Sequence, residues 1–138
     1  MKTFKTSWWS VQVPEEWEIE EDDVCTTITA TPHIGALQIS SARNDNGPAT
    51  DEDLLDFAEE HVKAGAKLRE AHVGNLSGFY IHYSDDEFYS REWWLRRGNT
   101  VVFVTYTTEL SLRGQEDVVI DQILTTLKVP DAQHRRRR

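Results

Sequence analysis

Cysteine is nearly absent: the 138-residue chain has one thiol, Cys25. No intramolecular disulfide framework can form, and the chain must hold itself together by packing. That usage is compatible with a reducing compartment. No apolar run approaches the roughly 20 residues that cross a bilayer. The opening residues contain no continuous apolar h-region, so no secretory signal peptide is expected. Glycine is sparse, and Gly47, Gly65, Gly74 and Gly78 stand as isolated punctuation. No glycine-rich phosphate loop is present. The five histidines (His33, His61, His72, His82 and His134) show no H-x-x-x-H or H-E-x-x-H spacing. No metal site or cofactor is expected from them.

Positive charge is also scarce outside one place. The net charge is −9, and the four arginines at 135–138 contribute four positive charges, so the remaining residues carry −13. An acidic body repels nucleic-acid phosphates and anionic membrane surfaces, so neither is an expected partner. The length fits one domain over residues 1–130. Residues 131–138 are expected to form a basic, disordered tail.

Aromatic residues are present in two conspicuous segments. The first is Trp8-Trp9-Ser10-Val11-Gln12-Val13-Pro14-Glu15-Glu16-Trp17. Alternation predicts a strand over 8–13, ended by Pro14, which cannot donate to a ladder. Residues 15–23 read as an acidic turn, with Trp17 and Ile19 folding back on the core edge. Strands follow over 24–31 and 36–42, around a turn at 32–35.

Thr50 is the expected N-cap of a helix over 50–65, with Asp51, Glu52 and Asp53 at its positive end. Leu54, Phe57, Ala58 and Val62 form its apolar stripe, expected to face a sheet. A weak strand over 69–76, a turn at Ser77-Gly78 and a strand over 79–84 come next. A long strand over 87–97 turns at Gly98-Asn99 into 100–108. That last stretch is apolar on both faces and should be a central strand. A second helix over 115–128 buries Val119, Ile120, Ile123, Leu124 and Leu127. Three strands, a helix, four strands and a helix make an α+β fold: an antiparallel sheet of about six to seven strands with two main helices packed on it.

This order, with the opening Trp9-Ser10-Val11-Gln12-Val13-Pro14-Glu15-Glu16-Trp17, resembles the Mog1/PsbP-like fold. The resemblance rests on that start, the helix after the third strand, and the hairpin series closing on an amphipathic helix. It covers nearly all of the chain except the tail. Similar proteins include a Ran-binding nuclear import factor, a photosystem II accessory subunit and many small bacterial proteins of unassigned role. The resemblance therefore implies a binding or accessory role rather than an enzyme. No partner-contact residue of those proteins can be matched here.

The second aromatic segment is Arg91-Glu92-Trp93-Trp94-Leu95-Arg96-Arg97. On a strand, Tyr89, Arg91, Trp93, Leu95 and Arg97 share one face, and Phe88, Ser90, Glu92, Trp94 and Arg96 the other. Arginine beside tryptophan is typical of interface hot spots. The candidate partner-binding residues are Tyr80, His82, Arg91, Trp94 and Arg96. The plainer reading packs both tryptophans beneath helices on the two faces. A protein partner with a basic surface is expected, drawn by the acidic residues at 15–23 and 51–60. A cytoplasmic protein of a bacterial secretion or immunity system fits that character. Two alternatives stand beside it. One is an enzyme using His82 and Glu92 as acid and base. The other is a structural homo-oligomer, so both a monomer and a homodimer are open. Cys25 has no local base and reads as a structural thiol.

Overall fold

In the computed structural model, which describes residues 1–130, β-hairpins build nearly everything. The strands are β1 (Lys2–Lys5), β2 (Ser10–Val13), β3 (Glu18–Glu21), β4 (Thr26–Thr29), β5 (Gly35–Arg43), β6 (Arg69–Val73), β7 (Leu76–Ser84), β8 (Phe88–Arg97) and β9 (Thr100–Glu109). The helices are α1 (Asp51–Phe57), α2 (Glu59–Lys63) and α3 (Asp117–Thr125). Seven strands form one sheet in the order β3-β4-β5-β9-β8-β7-β6, every neighbour antiparallel. β9 stands at its centre, as its two apolar faces require. β1 and β2 form a separate hairpin. The α+β class and the antiparallel sheet expected from the sequence are the fold of this chain.

The sheet buries side chains on both faces, and alternation sorts them. On one face, Trp93, Leu95, Val102, Val104 and Tyr106 meet Ile120, Ile123 and Leu124 of α3 and Trp9, Val11 and Val13 of the hairpin. Glu116, just before α3, is 4% exposed. It accepts hydrogen bonds from the Tyr106 hydroxyl at 2.7 Å and the Gly35 amide at 3.1 Å, which fix the helix over the sheet centre. On the other face, Trp94 and Val101 pack with Leu54 and Ala58. Each tryptophan removes about 200 Å² from water, worth about 5 kcal/mol before entropy.

Several local expectations are corrected. Residues 2–5 form a strand that the sequence reading passed over, with Phe4 opposite Val11 and its ring 5.8 Å from that of Trp9. Part of the acidic 15–23 segment is the edge strand β3, with Ile19 opposite Ile28. An edge strand with one apolar residue has little alternation to show. Cys25 lies just before β4 rather than in a strand, its amide donating to Asp22 Oδ1 at 2.9 Å. The β6–β7 turn is Gly74-Asn75, not Ser77-Gly78. Gly74 has φ +58°, while Gly78 sits within β7, where a Cβ would lie 1.9 Å from the Trp94 carbonyl oxygen.

The expected helix over 50–65 is two. Thr50 caps α1 as anticipated: the Asp53 amide donates to its hydroxyl at 3.1 Å, and Asp53 accepts from the Thr50 amide at 2.9 Å. The chain then breaks at Ala58. Leu54 and Ala58 are buried against the sheet, whereas Phe57 and Val62 stay 58% and 46% exposed, Phe57 with its ring against Phe103 of β9. His61, seven residues on from Leu54, takes the inward position against Trp94. The expected tail over 131–138 lies outside the described residues. Among those described, no helix is long and apolar enough to cross a membrane.

Candidate functional site

β8 holds chemistry on both faces because a strand with a tryptophan pair must send one to each side. Towards α3 it presents Arg91, which is 7% exposed. The guanidinium carbon lies 4.7 Å from the Trp93 ring centroid and 5.3 Å from that of Tyr80. Its Nε donates to the Tyr80 hydroxyl at 2.8 Å, Nη2 to Asp121 at 2.7 Å and Nη1 to Asp117 at 3.4 Å. Burial works against its charge. The hydrogen bonds to Asp121 and Tyr80 outweigh that, and hold its pKa above the ordinary arginine value. Tyr89 donates to Asp117 at 3.3 Å, and its hydroxyl is pushed up to about 12, mainly by burial and then by the Asp117 charge. The arrangement locks α3 to the sheet through an ion pair that is desolvated on the arginine side only.

His82 follows on the same face, exposed, with its ring 6.0 Å from Tyr80 and 6.2 Å from Tyr89. It opens on a cleft of about 540 Å³ with Arg113 and Asp117 on its wall. A second groove, about 280 Å³, runs between β6 and α3 over Tyr80 and Trp93.

The opposite face holds Trp94, only 6% exposed. The His61 ring meets it edge-on at 5.5 Å. His61 Nε2 lies 3.5 Å from Glu92, which also accepts a short hydrogen bond from the Tyr83 hydroxyl. Burial and the Glu92 contact push Tyr83 up to about 12. Arg96 Nε donates to Asp51 at 2.7 Å, tying β8 to the start of α1.

The structure therefore divides the five residues singled out in the sequence. Tyr80, His82 and Arg91 lie towards α3; Trp94 and Arg96 lie towards α1 and α2. The pairings of Tyr80 with Trp93 and of His82 with Arg91 decide this. The surface expected to join Tyr80, His82 and Trp94 is corrected: the sheet separates them. Trp94 and Arg91 are buried, and Arg96 is tied to Asp51. His82 and Glu92 also project from opposite faces, which removes that acid–base pair. Glu92 meets His61 instead; the sequence reading completed the Leu54–Ala58 stripe with Phe57 and Val62, although His61, at i+7 from Leu54, shares that face. Among the described residues, no group of three or more histidine, cysteine or acidic side chains is placed to hold a metal ion.

One surface open to a partner is the outer side of α1 and α2. Leu55, Phe57 and Val62 are 39%, 58% and 46% exposed. Asp51, Glu52, Asp56, Glu59 and Glu60 are exposed around them.

No protein-family model matches the chain, and no curated protein does. Solved structures do. A crystal structure from Bacteroides thetaiotaomicron superposes with TM-score 0.71 at 16% identity. The match covers 96% of this chain and 49% of that one, so this chain spans about half the length of the Bacteroides protein. LpqN of Mycobacterium tuberculosis, described as involved in cell envelope biogenesis, superposes with TM-score 0.61 at 14% identity, covering 88% and 83%.

The likeness is one of fold.

The α+β fold expected from the opening motif and the element order agrees with these likenesses. A solution structure of cyanobacterial PsbP from Synechocystis also matches, more loosely, with TM-score 0.46 at 10% identity over 94% and 92% of the two chains.

Proposed function

We propose that this chain is a non-enzymatic binding protein whose acidic helical surface takes a protein partner with a basic, partly apolar face. The observation that carries this is the exposure of Phe57, with Leu55 and Val62, on helices rich in carboxylates. Exposed apolar side chains rimmed by charge mark interaction surfaces, and the acids would steer a basic partner into register. The body charge of −13 favours encounter with positive surfaces at a distance. Trp94 supports the surface from beneath rather than meeting the partner. Glu92 is engaged by His61 and Tyr83, which suits a structural role better than proton transfer. An accessory place in a bacterial secretion or immunity system, and a cytoplasmic setting compatible with the lone Cys25, belong to the same proposal.

Site-specific photo-crosslinking tests it. A photoreactive phenylalanine analogue at position 57 should capture one basic protein in the host. The same analogue at position 118, a 71% exposed site on α3, should not. Glu59→Lys with Glu60→Lys should then weaken binding of the purified partner at least tenfold. Equal capture from both positions, or unchanged affinity after the charge reversal, overturns the reading.

A further inference from the structure

The seven-stranded sheet ends in two edges, β3 and β6, and they differ in what they can pair with. An unpaired edge is a template for another strand, and proteins normally block it with charge. β3 reads Glu18-Ile19-Glu20-Glu21. Antiparallel pairing of β3 with a second copy sets glutamate against glutamate, whether centred on Ile19 or on Glu20. Like charges directly opposite are destabilising. β6 reads Arg69-Glu70-Ala71-His72-Val73, with Arg69, Glu70 and His72 exposed. Its side chains are mixed: Arg69 and Glu70 carry opposite charges, and Glu70 and His72 flank Ala71.

Main-chain geometry fixes which register is allowed. Val73 and Leu76 close the two-residue Gly74-Asn75 turn and exchange main-chain hydrogen bonds. By alternation, Ala71 and Arg69 also bond inward to β7. The N–H and C=O groups of Glu70 and His72 therefore face outward. A second copy of β6 can join only by matching outward residues with outward residues. Centring on Glu70 sets two glutamates opposite each other, and centring on His72 sets two histidines opposite. Centring on Ala71 pairs Glu70 with His72 twice over, engages the whole strand, and forms about four main-chain hydrogen bonds. On the α3 side it brings the small Ala71 side chains together at the outer wall of the 280 Å³ groove.

We propose that a second copy of this chain docks on β6 in this register, making one continuous sheet across a two-fold dimer. The contact is confined to one short strand, well below the roughly 1,600 Å² of a standard interface, so the dimer should be weak and reversible.

Sedimentation equilibrium of the full chain from about 10 µM to about 1 mM tests this. A monomer–dimer equilibrium is expected. His72→Glu sets Glu70 against glutamate and should weaken dimerisation about tenfold. Adding Glu70→Lys restores opposite charges and should bring the constant back to within about threefold of the wild type. Circular dichroism confirms folding of each variant. Amide exchange on the wild type gives a readout that needs no mutation: protection at Glu70 and His72 should rise with concentration. A monomer throughout the range, a dimer indifferent to His72→Glu, failure of the double variant to recover, or concentration-independent exchange at these amides overturns the proposal. Open-ended polymers would also overturn it, since they would mean head-to-tail pairing of β6 with β3.

Discussion

Removing Asp117 and Asp121 should cost more than removing the arginine they hold. The Arg91 side chain is 8% exposed, against 34% for Asp117 and 59% for Asp121. Only one side of this ion pair is out of water. Asp117→Ala with Asp121→Ala strands a buried guanidinium with the Tyr80 hydroxyl as its only remaining acceptor among these three. An uncompensated buried charge costs about 3–5 kcal/mol. Arg91→Met leaves two carboxylates that water can solvate, and the thioether can lie between the Tyr80 and Trp93 rings where the arginine stem lay. The remaining losses are the contact of the cation with the two rings and one hydrogen bond to Tyr80, about 1–2 kcal/mol together. Helix propensity cannot produce this order, because alanine favours α3 more than aspartate does.

Urea unfolding followed by tryptophan fluorescence and circular dichroism measures both. With a slope of about 2 kcal/mol per molar, the double alanine variant should lower the midpoint by about 2 M and Arg91→Met by less than about 1 M. Against a total stability of about 5–15 kcal/mol, the first is a severe loss. If Arg91→Met proves as damaging as the double variant, the arginine contributes through its charge as a whole. The asymmetry argued from exposure would then be wrong.

Two further outcomes follow from the geometry. Gly78→Ala and Gly74→Ala should each cost more than about 2 kcal/mol, read as a lowered urea midpoint. A Cβ at 78 would lie 1.9 Å from the Trp94 carbonyl oxygen; one at 74 would lie 1.7 Å from that of Leu127, at φ +58°. Gly98→Ala is the control: its φ is +59°, but nothing lies within 4 Å of the added carbon, so only the backbone cost of about 1–2 kcal/mol remains. Tyrosinate absorbance should show Tyr83 and Tyr89 ionising near pH 12, and Tyr106, raised further by burial and Glu116, later still. Their folded pKa values lie above the ordinary 10. The stability linked to keeping them neutral is therefore fully present below pH 10 and lost as pH rises towards 12. Tyr83→Phe should remove one late-titrating group; an unchanged titration curve would contradict the assignment.

How much of this was legible depends on how many independent constraints each segment carries. The 100–108 strand was unmistakable, since β-branched and aromatic residues on both faces leave only a central position. The sorting of Arg91, Trp93 and Trp94 followed from alternation alone. β1 and β3 carry one apolar residue each, Phe4 and Ile19, too few to set a period. Gly74 and Gly78 look alike in the sequence, yet one supplies a positive φ and the other makes room for a carbonyl. Tyr80, His82 and Trp94 were joined wrongly because parity within a strand does not give parity between strands. That needs the β7–β8 register, which the turn between Asp85 and Phe88 sets and which pairs Tyr80 with Trp93.

The candidate surface is hidden in the sequence because either Phe57 and Val62 or His61 can complete the stripe begun by Leu54 and Ala58. On a helix through 50–65, Leu54, Ala58 and His61 (i, i+4, i+7) share one face, and Phe57 and Val62 stand on its two flanks. His61 accordingly lies down on Trp94 and beside Glu92, while the flanking Val62 stays half-exposed. Burying a histidine edge is tolerable here because Glu92 stands beside its Nε2 and Trp94 offers a ring face. Exposing Val62 and Phe57 forgoes hydrophobic stabilisation of about 1–2 kcal/mol each, since both remain half-covered. Phe57 recovers part through its edge contact with Phe103 at 4.8 Å. A sequence that gives up burial at two positions while placing acids at 51, 52, 56, 59 and 60 is better matched to meeting a partner than to maximal stability.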